Sequence, residues 1–332
     1  PRGRWRRQRS SGPGEFARAR DWVYFRSRLH KPTEKYRGSI EIGQRNLPVI
    51  PGFSLVVGHK EEVDYGTQNG ICDTALAATG SAQGLTGVKK AGWDGWEGRL
   101  PMDWLGPPKR LKQVCEDAEM PLCVFTASGS PEDRDWEHVE RNKRRMDYAA
   151  EMGVDCFMFM SGRKPEGRAM ERADIERAAE GAEQWAEYAA QYGLELSYHI
   201  HTNLLVDSAA DWTLYMSLLD KAKLCIDVSH AELWDYDPVQ SLVDFWDQLN
   251  YVHLQDYASC TVRDPGQYNP KWVSVGEAEC LDFTAVLKTL EDRNFTRWVT
   301  ACPGEPPYEG EDAVSEAERS AGMRDYLRRL GY

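Results

Sequence analysis

The chain has 332 residues, 41% of them hydrophobic, enough to bury the core of one large α/β domain or two average ones. Its net charge of −12 is uneven: residues 1–30 hold nine Arg against Glu15 and Asp21, a balance of +7, while the rest carries 32 basic and 51 acidic residues, a balance of −19. An acidic body argues against a nucleic-acid groove, which needs clustered Lys and Arg, and no apolar run approaches the ~18 residues of a membrane helix. The start shows neither Met nor an apolar signal core, so no secretory signal is expected, and the cysteine usage points to a reducing cytoplasm. The eight cysteines form no CxxC pair, and several sit in apolar runs such as PLCVF and KLCIDV. They read as small buried hydrophobes, not as a zinc ribbon.

Residues 1–30, opening PRGRWRRQRSSGPGEF, read as a basic tail, flexible or oligomer-contacting, ahead of a single domain over 31–332. The first strand candidate is FSLVVG (53–58). GICDTALAATGSAQGLTGVKKAG follows as a poor helix, with four Gly before the closing Gly92. From there short apolar runs alternate with helical patterns. WDGWEG (93–98), PLCVFTA (121–127), DCFMFMS (155–161), LELSYHIH (194–201), KLCIDVSH (223–230), LNYVHLQD (249–256) and RWVTAC (297–302) complete eight strand candidates. Most are apolar along their length, as parallel strands covered on both faces are. Helices are predicted over 135–153, 173–193, 209–222, 237–249 and 282–294, the first two ending on Gly153 and Gly193. Eight strands in β–α alternation predict an α/β fold, a closed (β/α)8 barrel; an open doubly wound sheet is the alternative, and no GxGxxG follows an early strand.

In such a barrel, chemistry gathers at the C-terminal strand ends. Four of the seven histidines fall there: His199 and His201 on the fifth strand, His230 after the sixth and His253 within the seventh. Asp227 and Asp256 accompany them, and Glu305 follows the eighth strand in ACPGEPP. Converging imidazoles and carboxylates suit one divalent cation, and the mixed N/O set points to Mn, Zn, Mg or Co. Each residue has a plainer reading: a satisfied interior histidine, Asp227 as a helix cap, Asp256 orienting a neighbour. Four histidines on three successive strands are harder to explain as packing, because each buried imidazole needs its hydrogen bonds met. Trp93, Trp96 and Trp104 line a sugar-stacking mouth or the core. Arg163 and Lys164, in SGRKPEGR, are substrate anchors or part of a solvated loop; His59 is a weaker candidate.

The segments AGWDGWEGR, AAEMGVDCFMFM, YGLELSYHIHTNLLVDS, LCIDVSHAEL, YVHLQD and VSVGEAECLDF, in this order, resemble the xylose-isomerase-like sugar phosphate isomerase/epimerase superfamily over about residues 85–310. The resemblance implies a xylose-isomerase-like (β/α)8 barrel holding one divalent cation, Mn first, with Zn, Mg or Co as alternatives. Its metal ligands carry over as Asp227 and His253, its substrate-contacting histidine as His230. Two positions depart: His199 stands where many members have Glu on strand 5, and strand 8 ends in Ala301-Cys302, with Glu305 three residues on. The expected ligand set is therefore His199, Asp227, His253 and Glu305. Glu97, His230, Asp256 and Arg163 are expected at the substrate.

These departures weaken a symmetric two-glutamate epimerase scheme. The HxH strand instead looks like inosose dehydratases and C-glycoside deglycosidase catalytic subunits. The reaction expected is removal of a proton alpha to a carbonyl of a keto-sugar or keto-cyclitol, followed by β-elimination. His201 is the first choice of base, with His199 or Glu305 sharing the catalytic work and Glu305 or His230 as acid. Competing readings are a ketose isomerase or epimerase, an apurinic-site endonuclease disfavoured by the acidic body, and a subunit without activity. The resemblance also implies a homo- or hetero-oligomer, with a small β-rich partner in the deglycosidase case.

Overall fold

The computed structural model describes residues 55–57, 68–72, 82–154, 156–278, 280–304 and 313–332. The basic tail, His59 and Glu305 lie outside the described residues. The strands are β1 Leu55–Val57, β2 Gln68–Cys72, β3 Gly95–Gly98, β4 Leu122–Thr126, β5 Cys156–Met160, β6 Glu195–His199, β7 Lys223–Asp227, β8 Leu249–Leu254, β9 Asp256–Cys260, β10 Pro270–Val273 and β11 Trp298–Ala301. The helices are α1 Ala82–Ala91, α2 Met102–Leu105, α3 Pro108–Asp117, α4 Trp136–Met152, α5 Arg172–Ala190, α6 Ala209–Ser217, α7 Val228–Leu233, α8 Pro238–Asp244, α9 Phe283–Asp292 and α10 Ala313–Arg329.

The sheet runs β2-β3-β4-β5-β6-β7-β8-β11, each strand parallel to its neighbour. Helices separate consecutive strands, and β3, β4 and β8 are buried along their whole length. That burial explains the unbroken apolar runs. The sheet curls until β1, β2 and β11 meet, which makes the array a nearly closed β/α barrel. No helix among the described residues is long and apolar enough to cross a membrane.

The barrel's opening differs from the sequence expectation. FSLVVG contributes β1, which pairs antiparallel with β11, Leu55 opposite Ala301. The first parallel position belongs to β2, whose last three residues, 70–72, open the stretch read as a poor helix. Ala82–Ala91 of that stretch form α1. Its two interior glycines cost about 1 kcal/mol each, but Leu85, Val88 and Ala91 bury one face, and a buried Leu or Val returns roughly 1.5–3 kcal/mol.

KLCIDVSH is not a strand throughout. It turns at Asp227, whose side chain caps α7 by accepting the Ser229 N–H. The β9–β10 hairpin, inserted between β8 and α9, falls where no element was expected. The long helices start and stop where their residues dictate. Asp135 caps α4, and Gly153, at φ 79°, closes it. A reciprocal Glu171–Asp174 capping box opens α5. Trp93 and Trp96 are fully buried, so they are core and not a sugar platform; Trp104 is exposed.

Candidate metal centre and active site

Side chains two apart on a strand share a face. On β7 this puts Cys225 and Asp227 toward the interior, on β8 Tyr251 and His253, and at the end of β11 Thr300 and Cys302. The register sets Asp227 beside His253, Cys225 beside Tyr251, and Thr300 beside His253. β6 adds His199, next to Cys225. Because α7 begins at Asp227, His230 swings back over its own cap. All of these donors are buried, at 3% exposure or less.

Asp227 is the hub. Its Oδ1 accepts from the Ser229 N–H at 3.0 Å and the Ser229 hydroxyl at 2.6 Å. Its Oδ2 lies 3.8 Å from His199 Nε2, 3.8 Å from His230 Nε2 and 4.0 Å from His253 Nδ1.

The hydrogen-bond partners fix which ring nitrogens carry protons. His253 Nε2 lies 2.9 Å from Glu97 Oε2, a carboxylate that only accepts, so the proton sits on Nε2 and Nδ1 is bare. His199 Nδ1 lies 3.2 Å from Met160 Sδ, also only an acceptor, so Nε2 is bare. His201 Nδ1 donates to the Thr202 carbonyl at 2.8 Å, leaving its Nε2 bare. His230 Nδ1 is 3.1 Å from the Thr202 hydroxyl and 3.4 Å from the Thr202 N–H.

Burial pushes the His199 imidazole well below the usual histidine value, and the neighbouring imidazoles push it further. His230 follows for the same reasons. Burial lowers His201 as well. Burial raises the Asp227 carboxyl, against the pull of His253 and Ser229. Glu97 goes the other way: burial favours its neutral form, but Arg99, His253 and Tyr251 outweigh that and hold it at about 2.

The bare nitrogen of His199, and that of neutral His253, thus faces a carboxylate oxygen with no proton between them, whereas His230 Nδ1 accepts the Thr202 N–H, so its Nε2 carries a proton that a metal would displace. His199 Nε2, Asp227 Oδ2 and His230 Nε2 are buried and have no hydrogen-bond partner. A buried polar atom left unpaired costs roughly 1–3 kcal/mol, so three converging on one point need a counterpart. Donors 3.8 Å apart both reach a cation at the bond lengths of about 2.0–2.2 Å that N and O ligands make. The residues present fit a divalent metal.

The structure gathers His199, Asp227 and His253, as expected, and adds His230, expected at the substrate, to the donors facing Asp227 Oδ2. Glu97 and Asp256 are fully buried and engaged within the protein. Glu97 holds the Nε2 proton of His253 and so turns its Nδ1 inward, the carboxylate–histidine relation common behind metal ligands. Asp256 accepts backbone N–H bonds from Tyr257, Gly276 and Ala278 and pins the turn after β10. Arg163 is exposed. Lys164 is tied at 2.7 Å to Asp207.

His201, one turn of chain beyond β6, is the partly exposed histidine of the group, its ring 3.9 Å from that of His230. Trp272 of β10 stands edge-on to His230 at 5.1 Å and walls that side. Arg99, bonded to Glu97, also lines a cavity of about 640 Å³ with Ser128, Trp136, Arg141 and Arg144. Sequence reasoning missed the partnership of Glu97 and His253 and the inward thiol of Cys302. Strand alternation placed both on inner faces, but nothing in one sequence says which inner faces meet.

The family model described as xylose isomerase-like TIM barrel matches residues 85–328. An inosose dehydratase from Geobacillus kaustophilus is 26% identical over 182 residues, 51% of this chain and 58% of that protein. One from Klebsiella pneumoniae is 25% identical over 166 residues, 46% of this chain and 54% of that protein. The chain thus spans little more than half the length of these relatives. Among solved structures, the apo 3-keto-D-glucoside 4-epimerase from E. coli superposes with a TM-score of 0.59 at 18% identity, covering 78% of this chain and 97% of that one. The probable 3-DHS dehydratase from Bacillus anthracis gives 0.59 at 14% identity, covering 77% and 97%. Matched along most of its described length, this chain belongs to the xylose isomerase-like TIM barrel family.

Proposed function

We propose that the protein is a divalent-metal-dependent lyase acting on a keto-sugar or keto-cyclitol, removing a proton alpha to the carbonyl and expelling a β substituent. The observation that carries this reading is the bare Nε2 of the partly exposed His201 beside a buried His199–Asp227–His230 donor set that lacks partners. The named dehydratase relatives act on an inosose, a keto-cyclitol, which supports the substrate class.

When bound, the cation supplies Lewis acidity at the substrate carbonyl. His199, Asp227 and His230 would hold it, with His253 turned toward them by Glu97. His201 accepts the alpha proton at Nε2, while its Nδ1 bond to the Thr202 carbonyl keeps the ring in place and steadies the imidazolium. The C–H electron pair becomes the new C=C bond, and the β substituent leaves with its own pair. His201, protonated by the first step, is the described group positioned to return that proton to the departing oxygen or carbon.

The test combines metal analysis with turnover of keto-inositol and 3-keto-glycosides. The expected outcome is a stoichiometric divalent ion and an eliminated product. His201→Ala should lower kcat by at least about 100-fold, the scale of general acid–base catalysis, while metal content stays intact. Reversible epimerisation with solvent proton exchange and no elimination would replace this reading with a ketose epimerase. Metal loss in His201→Ala would move His201 into the ligand set.

A further inference from the structure

We propose that Cys302 is a thiolate ligand in this centre, standing at the end of strand 8 where the resemblance puts a carboxylate and this chain has Ala301-Cys302, and that it turns the site toward zinc or cobalt and away from manganese or magnesium. This inference rests on the metal-centre reading above.

The geometry begins with β11. Its ladder continues one residue past Ala301, because Cys302 N donates to the Leu254 carbonyl at 2.7 Å. Thr300 and Cys302 therefore share a face, and Thr300 is already inside the barrel, bonded to Tyr251. Cys302, 3% exposed, faces the same interior one layer nearer the mouth. Its Sγ lies 3.9 Å from His253 Nδ1, the nitrogen that Glu97 leaves bare. The donor atoms of Cys302, His253 and Asp227 all lie within 4.8 Å of one another. The third member, Asp227, carries the buried Oδ2 that lacks a hydrogen-bond partner. Two donor groups, His199–Asp227–His230 and Asp227–His253–Cys302, thus share the Asp227 carboxylate.

Without a cation, the thiol has a weak S–H bond to Nδ1, which shows that sulfur and nitrogen point at the same space. On binding, the S–H bond breaks, a sulfur–metal bond forms and the proton passes to solvent. Thiolate is a soft ligand and carboxylate a hard one, so exchanging one for the other changes which ion is favoured. Cys225 is the internal rival, since its sulfur lies within 4.8 Å of ring nitrogens of His199 and His253. It sits two residues before Asp227 on the same strand face, a layer deeper.

Cobalt(II) loading of the full chain decides between them. The expected wild-type spectrum has visible d–d bands and a near-ultraviolet sulfur-to-cobalt charge-transfer band. Cys302→Ser should keep the d–d bands and lose the near-ultraviolet one; Cys225→Ser should keep both. In competition, Cys302→Ser should shift the zinc-over-manganese preference by at least about 10-fold. Bound cobalt without the ultraviolet band, or a band that survives Cys302→Ser, overturns the proposal. A band lost only in Cys225→Ser assigns the ligand to the wrong thiol and overturns it too. Failure to bind cobalt or zinc at all is a different result and removes the metal-centre reading itself. If Cys302→Ser does not fold, zinc X-ray absorption on wild-type protein and on Cys225→Ser gives the answer. A sulfur neighbour at about 2.3 Å in both supports Cys302, and N/O neighbours alone overturn it.

Discussion

Asp227 shows how one side chain serves two levels of structure. Oδ1 caps α7 and Oδ2 faces the imidazoles, so the same residue ends a strand, starts a helix and anchors the site. The sequence made both roles visible as alternatives, and the structure contains both because a carboxylate has two oxygens. Glu97 is the less obvious residue. Glu97→Gln keeps the shape but removes the charge that holds the His253 Nε2 proton. We expect metal affinity to fall about 10–100-fold, the usual cost of losing such a partner, read by chelator competition. An unchanged affinity would mean that His253 stands outside the ligand set. That His199, His201, Asp227 and His253 come together was legible because their spacing on apolar runs put them at strand ends. The inward turn of His230 was not, since it depends on the chain changing from strand to helix at Asp227.

At the scale of the element, periodicity and caps placed most strands and α4, α5 and α9 within a few residues, while α3 and α10 were not anticipated. The failures have physical causes. The α1 stretch carries interior glycines, and its buried Leu85–Val88–Ala91 face pays for them only once a barrel exists to cover it. Gly181, in the middle of α5, makes the converse point. Helix propensity alone predicts that Gly181→Ala stabilises by about 1 kcal/mol. In the fold, a Cβ there would lie 2.5 Å from the Pro131 carbonyl oxygen, which is backbone and cannot swing aside. We expect a net loss of roughly 1–3 kcal/mol, the range for overpacking, measured by urea denaturation. A gain in stability would show that the α5–Pro131 approach is loose. The β9–β10 hairpin escaped notice because its faces are only half buried, which blurs the alternation that marks a strand.

For the whole molecule, a buried polar centre makes stability depend on acid and on metal. His199 and His230 titrate well below the 6.5 of an unfolded imidazole. Between their folded values and 6.5 the unfolded chain binds protons that the folded one does not. Stability is therefore fully present above 6.5 and falls as the pH drops. Metal-free protein should melt at a lower temperature at about pH 5.5 than at about pH 7.5, and added zinc should raise Tm at both, since binding to the folded state alone stabilises it. A Tm indifferent to chelator and to this pH interval would count against a cation at Asp227.

Local chemistry in the sequence settled the alternation of apolar strands with capped helices, hence the barrel class, and the gathering of histidines at one end of the strands. Those features follow from burial and hydrogen bonding within a few residues, so one chain reveals them. Tertiary structure alone decided that β1 runs antiparallel, that Trp93 and Trp96 are core, that Glu97 supports His253 across the barrel, and that Cys302 faces Asp227. Each of these depends on which strands lie side by side and in what register, and pairing between distant segments leaves no periodic mark in either of them.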